Sequence, residues 1–339
     1  MRRALWLLVL LACLAGCGGT SVRRDAPVIV TGGSAPTQPQ PGDRPGPPRG
    51  AVRIAVVTHG QASSPFWAIV RNGVDAAARQ LDVLVSYRAP EVYSVSRMEQ
   101  LIGDAIASKP DGLVVSLPDP ALGRSVRRAV DAGIPTITIN SGFEVARRLG
   151  VLAHVGQPEE LAGFRAGRRL VAAGAHRVLC VNVQVGNTGL DARCRGLARA
   201  MRAAGGTSRV LPVDDQSPAT PERIATAVAS GGIDGLLTLN ATSGLLATQA
   251  MRGAGRARSV IIGTFDLGPD VLAAVRAGRL AFAVDQQPYL QGYWPIVMLA
   301  QRARYGLLPG QGELIPTGPN FVTRSNAAQV IRLSRRSIR

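Results

Sequence analysis

From residue 51 onward the apolar positions switch back and forth between two spacings. Val52-Arg53-Ile54-Ala55-Val56-Val57 is a short, nearly continuous apolar run, the pattern of a parallel strand covered on both faces. Ser64 then offers a helix cap and Pro65 suits the first helical position, while Ile69, Val70, Val74 and Ala77 recur at helical spacing up to about residue 80. Residues 82–87 read as a strand, and 95–108 as a helix with Met98, Leu101, Ile102, Ala105 and Ile106 on one face. Residues 112–117 form the next strand, Asp119-Pro120 opens a helix, and 135–140 is a fourth strand. After 151–155 a second series begins, with strands near 178–183, 210–213, 235–240, 260–264 and 280–284, then a long helix over 288–305 and a short extended tail. Strands and helices in strict alternation predict parallel sheets with helices on both faces. Two series of similar length predict an α/β protein of two doubly wound, Rossmann-like lobes.

The first fifty residues follow neither spacing. Arg2 and Arg3 precede an apolar stretch at 5–14 that is too short to span a bilayer comfortably, and Leu14-Ala15-Gly16-Cys17 ends it with small residues. That run resembles the bacterial lipobox, in which the cysteine is lipidated and becomes the new N-terminus. Residues 1–16 are thus expected to be a lipoprotein signal peptide and Cys17 the lipid anchor at the cell membrane. Residues 17–50 then form a tether, where Pro27, Pro36, Pro39, Pro41, Pro45, Pro47 and Pro48 interleave with Gly, Ser, Thr and Gln. Such a composition cannot bury a core and favours extended chain at ~3 Å per residue.

Composition narrows the function. Aromatics are only 4% of the residues, so Ala, Val, Leu and Ile must build the core. The net charge of +17 raises nucleic-acid binding as a candidate, because clustered arginine favours phosphate. Here the arginines are spread over every helix and Lys109 is the lone lysine, so the charge reads as a solvated surface and no nucleic-acid partner is expected. No Cys/His set has metal spacing, and neither metal nor cofactor is expected. Cys180 falls mid-strand and Cys194 in the following helix, not obviously within bridging distance, and both are expected as buried free thiols. An oxidoreductase would need G-x-G-x-x-G between the first strand and helix, and residues 58–67 lack it; His59, His154 and His176 have no nucleophile elbow nearby. The chain is not expected to be an enzyme.

In open α/β sheets ligands bind beyond the carboxyl ends of the strands. Thr58, Ser63, Ser64, Phe66 and Trp67 follow the first strand, Ser116 and Asp119 the third, and Asn140 and Ser141 the fourth. The second series contributes Asn187, Arg193, Asn240, Asp266 and Gln286. Planar amides and carboxylates match a vicinal diol, and aromatics can cover the C–H face of a pyranose. Each residue has a plainer role open to it: Ser64, Asp119 and Asn187 as caps, Phe66 and Trp67 as core, Asn140, Asn240 and Asp266 as loop or turn residues.

The same residues carry a family resemblance. Ser64-Pro65-Phe66-Trp67, Lys109-Pro110-Asp111-Gly112-Leu113, the run from Gly133 to Asn140, Gly263-Thr264-Phe265-Asp266 and Asp285-Gln286-Gln287-Pro288 together resemble the type I periplasmic binding proteins of the ribose and galactose class. The resemblance implies that Phe66 and Trp67 stack on a ligand, that Asn140 binds hydroxyls with Ser116 beside it, and that Arg193, Asn240, Asp266 and Gln286 bind from the second lobe and hinge. It implies lobes of 51–156 plus 287–314 and 157–286 plus 315–325, crossings near 154–157, 285–287 and 312–317, and a basic tail at 326–339. Asn140-Ser141 stands where ribose binders carry Asp-Arg, and Ala241 replaces an Asp, which argues against ribose itself. The implied function is a monomeric, extracytoplasmic receptor for a sugar or polyol that hands it to an ABC permease. The alternative is a ligand-sensing receptor of the same fold, docking on a membrane kinase or chemoreceptor.

Overall fold

The structure, a computed structural model, describes residues 50–60, 64–309 and 313–334. The leader, Cys17 and almost all of the tether lie outside the described residues.

The first sheet has six strands, all parallel. It runs in the order β11 (Glu313–Pro316), β5 (Ala153–Gly156), β4 (Thr136–Ile139), β3 (Gly112–Ser116), β1 (Arg53–Val57) and β2 (Leu84–Arg88). The second repeats it as β12 (Asn320–Val322), β10 (Phe282–Asp285), β9 (Ile261–Phe265), β8 (Gly235–Thr238), β6 (Arg177–Asn182) and β7 (Thr207–Pro212), with β12 the one antiparallel member. Central strands such as β3 and β4 are buried along their whole length, whereas the edge strands β2 and β7 are largely open, as their mixed composition requires. Apolar clusters fill both faces of each sheet, around Val56, Val114 and Ile137 on one side of the first and Val57, Val115 and Ile102 on the other.

The chain passes between lobes three times: after β5, after β10 and after β11. The third crossing differs from expectation. β11 pairs with β5 along its full length, so residues 315 and 316 belong to the first lobe and the crossing falls at Thr317–Pro319. The expected basic tail is also corrected in part, because α11 (Ala327–Ser334) packs Ala327 and Val330 into the second lobe's core against α9 (Pro269–Arg276). Arg332, the one charged residue of this helix, is exposed, while the helix's apolar face is buried.

The crossovers exchange helices between lobes. α5 (Glu159–Ala172) follows the last crossover strand of the first lobe but packs on α6 (Thr188–Ala203) in the second; α10 (Pro288–Tyr305) returns from the second lobe to pack on α1 (Pro65–Leu81) in the first. Both pairs close on glycines. A Cβ on Gly73 of α1 would sit 2.0 Å from the Tyr289 carbonyl oxygen, and one on Gly292 of α10 2.0 Å from that of Val70. In the other lobe Gly196 would meet the Glu160 carbonyl and Gly163 that of Arg193, again at 2.0 Å. Backbone meets backbone in these contacts, and only glycine allows it.

Cys180 and Cys194 are joined in a disulfide, with their Cα atoms 5.7 Å apart, which corrects the expectation of free thiols. The helix of a βα unit folds back over its own strand, and α6 does so with Cys194 above Cys180. Among the described residues no helix is long and apolar enough to cross a membrane, and no group of His, Cys, Asp and Glu is gathered to hold a metal.

Candidate functional site

The carboxyl ends of the two sheets meet around a small cleft of about 140 Å³. Its lining includes Ser64, Phe66, Trp67 and Asn140 from the first lobe, and Arg193, Asn240, Asp266 and Gln286 from the second lobe and the hinge. Eight of the nine expected site residues therefore come together. Ser116 does not line the cleft. It sits behind, buried, with its hydroxyl on His59. Sequence reasoning passed over His59 and Gln184 as ligand contacts, though both line the cleft; Ser141 and Asn187, which it placed at strand ends, line it too.

Two positions at the cleft use an unusual backbone. Asn140 ends β4 at φ 66° and Asp266 ends β9 at φ 67°, each the residue after the fourth strand of its lobe. Each donates its backbone N–H to the strand alongside, Asn140 to the Val155 carbonyl at 3.1 Å and Asp266 to that of Val284 at 2.9 Å. Asn and Asp are the non-glycine residues that best tolerate this left-handed region, so residue type and position are coupled.

Arg193 is the electrostatic centre. It is buried, and its Nε and one Nη donate to the two carboxylate oxygens of Glu159 at 2.6 and 2.9 Å. The same Nη reaches Gln286 Oε1 at 3.1 Å, and the other donates to the Leu239 carbonyl at 3.1 Å. Its guanidinium lies over the Phe265 ring, 4.3 Å from the centroid. Burial works against the charge, but Glu159 and then Asp266 more than offset it and raise the Arg193 pKa. Asp266, partly open to the cleft, is pushed up to about 6, chiefly by burial, with Arg193 and a hydrogen bond from Gln286 Nε2 pulling the other way.

Counting hydrogens shows what the cleft can offer. Arg193 has used four of its five N–H groups. Asn140 donates one amide hydrogen to Gln291 at 3.2 Å and accepts from Ser141 at 3.0 Å; Asn240 donates one to Asp215 at 2.7 Å while its oxygen caps α8 (Ala241–Gly253) through Ser243. Each amide keeps one hydrogen in reserve. Asn187 is a cap, its oxygen accepting from Gly189 and Leu190, and Asp119 caps a 3-10 turn. Ser64 holds the cap position of α1 with no side-chain cap bond. The site therefore presents several single N–H donors and one carboxylate acceptor. Alternating hydroxyls of a neutral polyol can satisfy both, as acceptors toward the amides and as donors toward Asp266.

Trp67 and Phe66 form the apolar wall. Their rings meet edge-on at 5.2 Å, and Trp67 stands edge-on to His59 at 4.8 Å. A second cavity, about 470 Å³, opens on the far flank of Asn140 between Phe143, Gln157 and Asp191. It is larger but lined mainly by helix ends and the hinge, and the strand-end polar groups of the two lobes do not converge there.

Two facing α/β lobes with a small, donor-rich cleft at their strand ends define a bilobed solute-binding protein. The chain belongs to the periplasmic binding protein family, whose domain matches residues 54–306. A xylose/arabinose-binding protein of Sulfolobus acidocaldarius is 24% identical over 88% of this chain and 78% of its own length. A D-ribose/D-allose-binding protein of Pseudomonas aeruginosa is 29% identical over 69% of this chain and 76% of its own. The structure of a carbohydrate transporter from Acidothermus cellulolyticus, in complex with myo-inositol, superposes with a TM-score of 0.80 at 36% identity, covering 86% of this chain and all of that one. These relatives are transport-type sugar binders and not enzymes, and the family places the protein outside the cytoplasm.

Proposed function

We propose that this protein binds one neutral sugar or cyclic polyol in the interlobe cleft and delivers it to an ABC permease. The observation that carries the reading is the cleft itself. At about 140 Å³ it lies well under the roughly 300 Å³ at which drug-sized pockets begin, so it suits a single ring and not an oligosaccharide. Phe66 and Trp67 would cover the ring's C–H face, Asp266 would accept from hydroxyls, and Asn140, Arg193, Asn240 and Gln286 would donate to them. The myo-inositol complex of the 36%-identical structure supports a cyclitol as the first compound to try. Calorimetric titration with myo-inositol, D-xylose, D-allose and D-ribose tests this. The expected outcome is one-to-one binding of at least one neutral polyol, with D-ribose not preferred; no heat from any neutral sugar or polyol would end the proposal.

Export and anchoring through Cys17 belong to the same reading, on the strength of Leu14-Ala15-Gly16-Cys17 and the oxidised pair Cys180–Cys194. Palmitate labelling of cells should be lost in Cys17→Ala, and label that survives the substitution would refute the anchor.

A further inference from the structure

His59 is the second residue after β1, is buried, and lines the cleft beside Trp67. Its surroundings determine which ring nitrogen carries the proton. Ser116, at the end of the neighbouring strand β3, accepts the backbone N–H of His59 at 2.8 Å, and its hydroxyl also lies 2.9 Å from His59 Nδ1. The hydroxyl has one proton to give. If Nδ1 were protonated, the Ser116 oxygen would accept twice and its own hydrogen would find no acceptor among the described residues. With Nδ1 bare, the hydroxyl donates to it and every group is satisfied. The proton therefore sits on Nε2, which has no partner among the described residues. Burial holds the ring pKa down to about 3, so the imidazole is neutral and its donor and acceptor edges stay as assigned. Trp67 and Tyr93, both edge-on to the ring, fix its plane.

We propose that His59 is a ligand-contacting residue of the cleft, donating Nε2–H to a ligand oxygen, and that Ser116 is a positioning residue that sets this tautomer. The inference rests on the polyol reading above and adds a first-lobe donor to the amides and guanidinium of the site. It also changes the role of Ser116, which selects affinity through His59 without touching the ligand.

The experiment pairs nitrogen-15 NMR of the histidine rings with calorimetry, using whichever of myo-inositol, D-xylose and D-allose binds the parent protein. In the parent, His59 should show the Nε2–H tautomer, and Ser116→Ala should give a mixture of tautomers with weaker binding. His59→Phe keeps the ring against Trp67 but strands the Ser116 hydroxyl. The double variant His59→Phe/Ser116→Ala removes that burden and should melt near the parent Tm. Both should bind about three- to tenfold more weakly, the worth of one neutral hydrogen bond. A parent ring protonated on Nδ1, or parent-like affinity in the double variant, overturns the proposal while leaving polyol binding intact. If no neutral sugar or polyol binds the parent, both readings fall together.

Discussion

Asp266 joins two demands that pull apart. Its carboxyl is raised to about 6 from an ordinary value near 3.8, so the folded chain without ligand keeps the neutral acid to a higher pH than the unfolded chain does. A raised acid contributes stability that is fully present below its unfolded pKa and is lost as pH rises through the folded one. Polyol hydroxyls donating to the carboxylate reverse the preference, because they need the charged form. Affinity should thus be full above about pH 6 and fall as pH drops below it, which calorimetry at pH 5 and pH 7.5 would show. Asp266→Asn should raise the urea midpoint at pH 7.5 yet weaken binding about tenfold or more, the loss of a charge-assisted bond. A lower midpoint, or unchanged affinity, would contradict this account. Asn is the informative replacement because φ is 67°, where alanine would add backbone strain to the lost contact.

At the scale of elements, the glycine contacts tie packing to the site. A Cβ on Gly163 of α5 would press on the carbonyl of Arg193, so Gly163→Ala must push α6 away and move the guanidinium with it. Overpacking of this kind costs about 1–3 kcal/mol. We expect a lower Tm together with weaker polyol binding. A Cβ on Gly103 of α2 (Val95–Ala107) would meet nothing within 4 Å, and Gly103→Ala should stabilise by about 0.5–1 kcal/mol with affinity unchanged. Thermal melts and titrations of the two variants side by side decide it. Most elements could be read from the chain, since strands such as β3 are short apolar runs and α1 opens on Ser-Pro. What could not be read were contacts made by the return of one element over another. The Cys180–Cys194 bond depends on how α6 lies over β6, and the role of His59 depends on Ser116 one strand away, 57 residues further along. A polar side chain directly after β1 is the available signal, and Thr58 and His59 both offer one.

The molecule as a whole was legible in outline for a different reason: the order of strand-end residues follows from sheet order, and eight of nine reached the cleft because every parallel strand points its carboxyl end the same way. The charge told little, because the arginines are spread across many helices. The boundaries of the lobes were harder, since the last segment crosses at Thr317–Pro319 after a strand whose exposed, mixed residues give little pattern. Underneath lies a repetition. Gly73 and Gly196 each stand nine residues after the cap of α1 and α6, Gly292 and Gly163 are each the fifth residue of α10 and α5, and Asn140 and Asp266 share one backbone shape at matching strands. Each half of the chain thus spells the same unit, but α5 and α10 have changed places. A cut between Gly174 and Ala175 would leave two pieces, each lacking its own outer helix and carrying the other's. The chain has the wiring of a swapped dimer written as one polypeptide, and neither half owns a complete lobe.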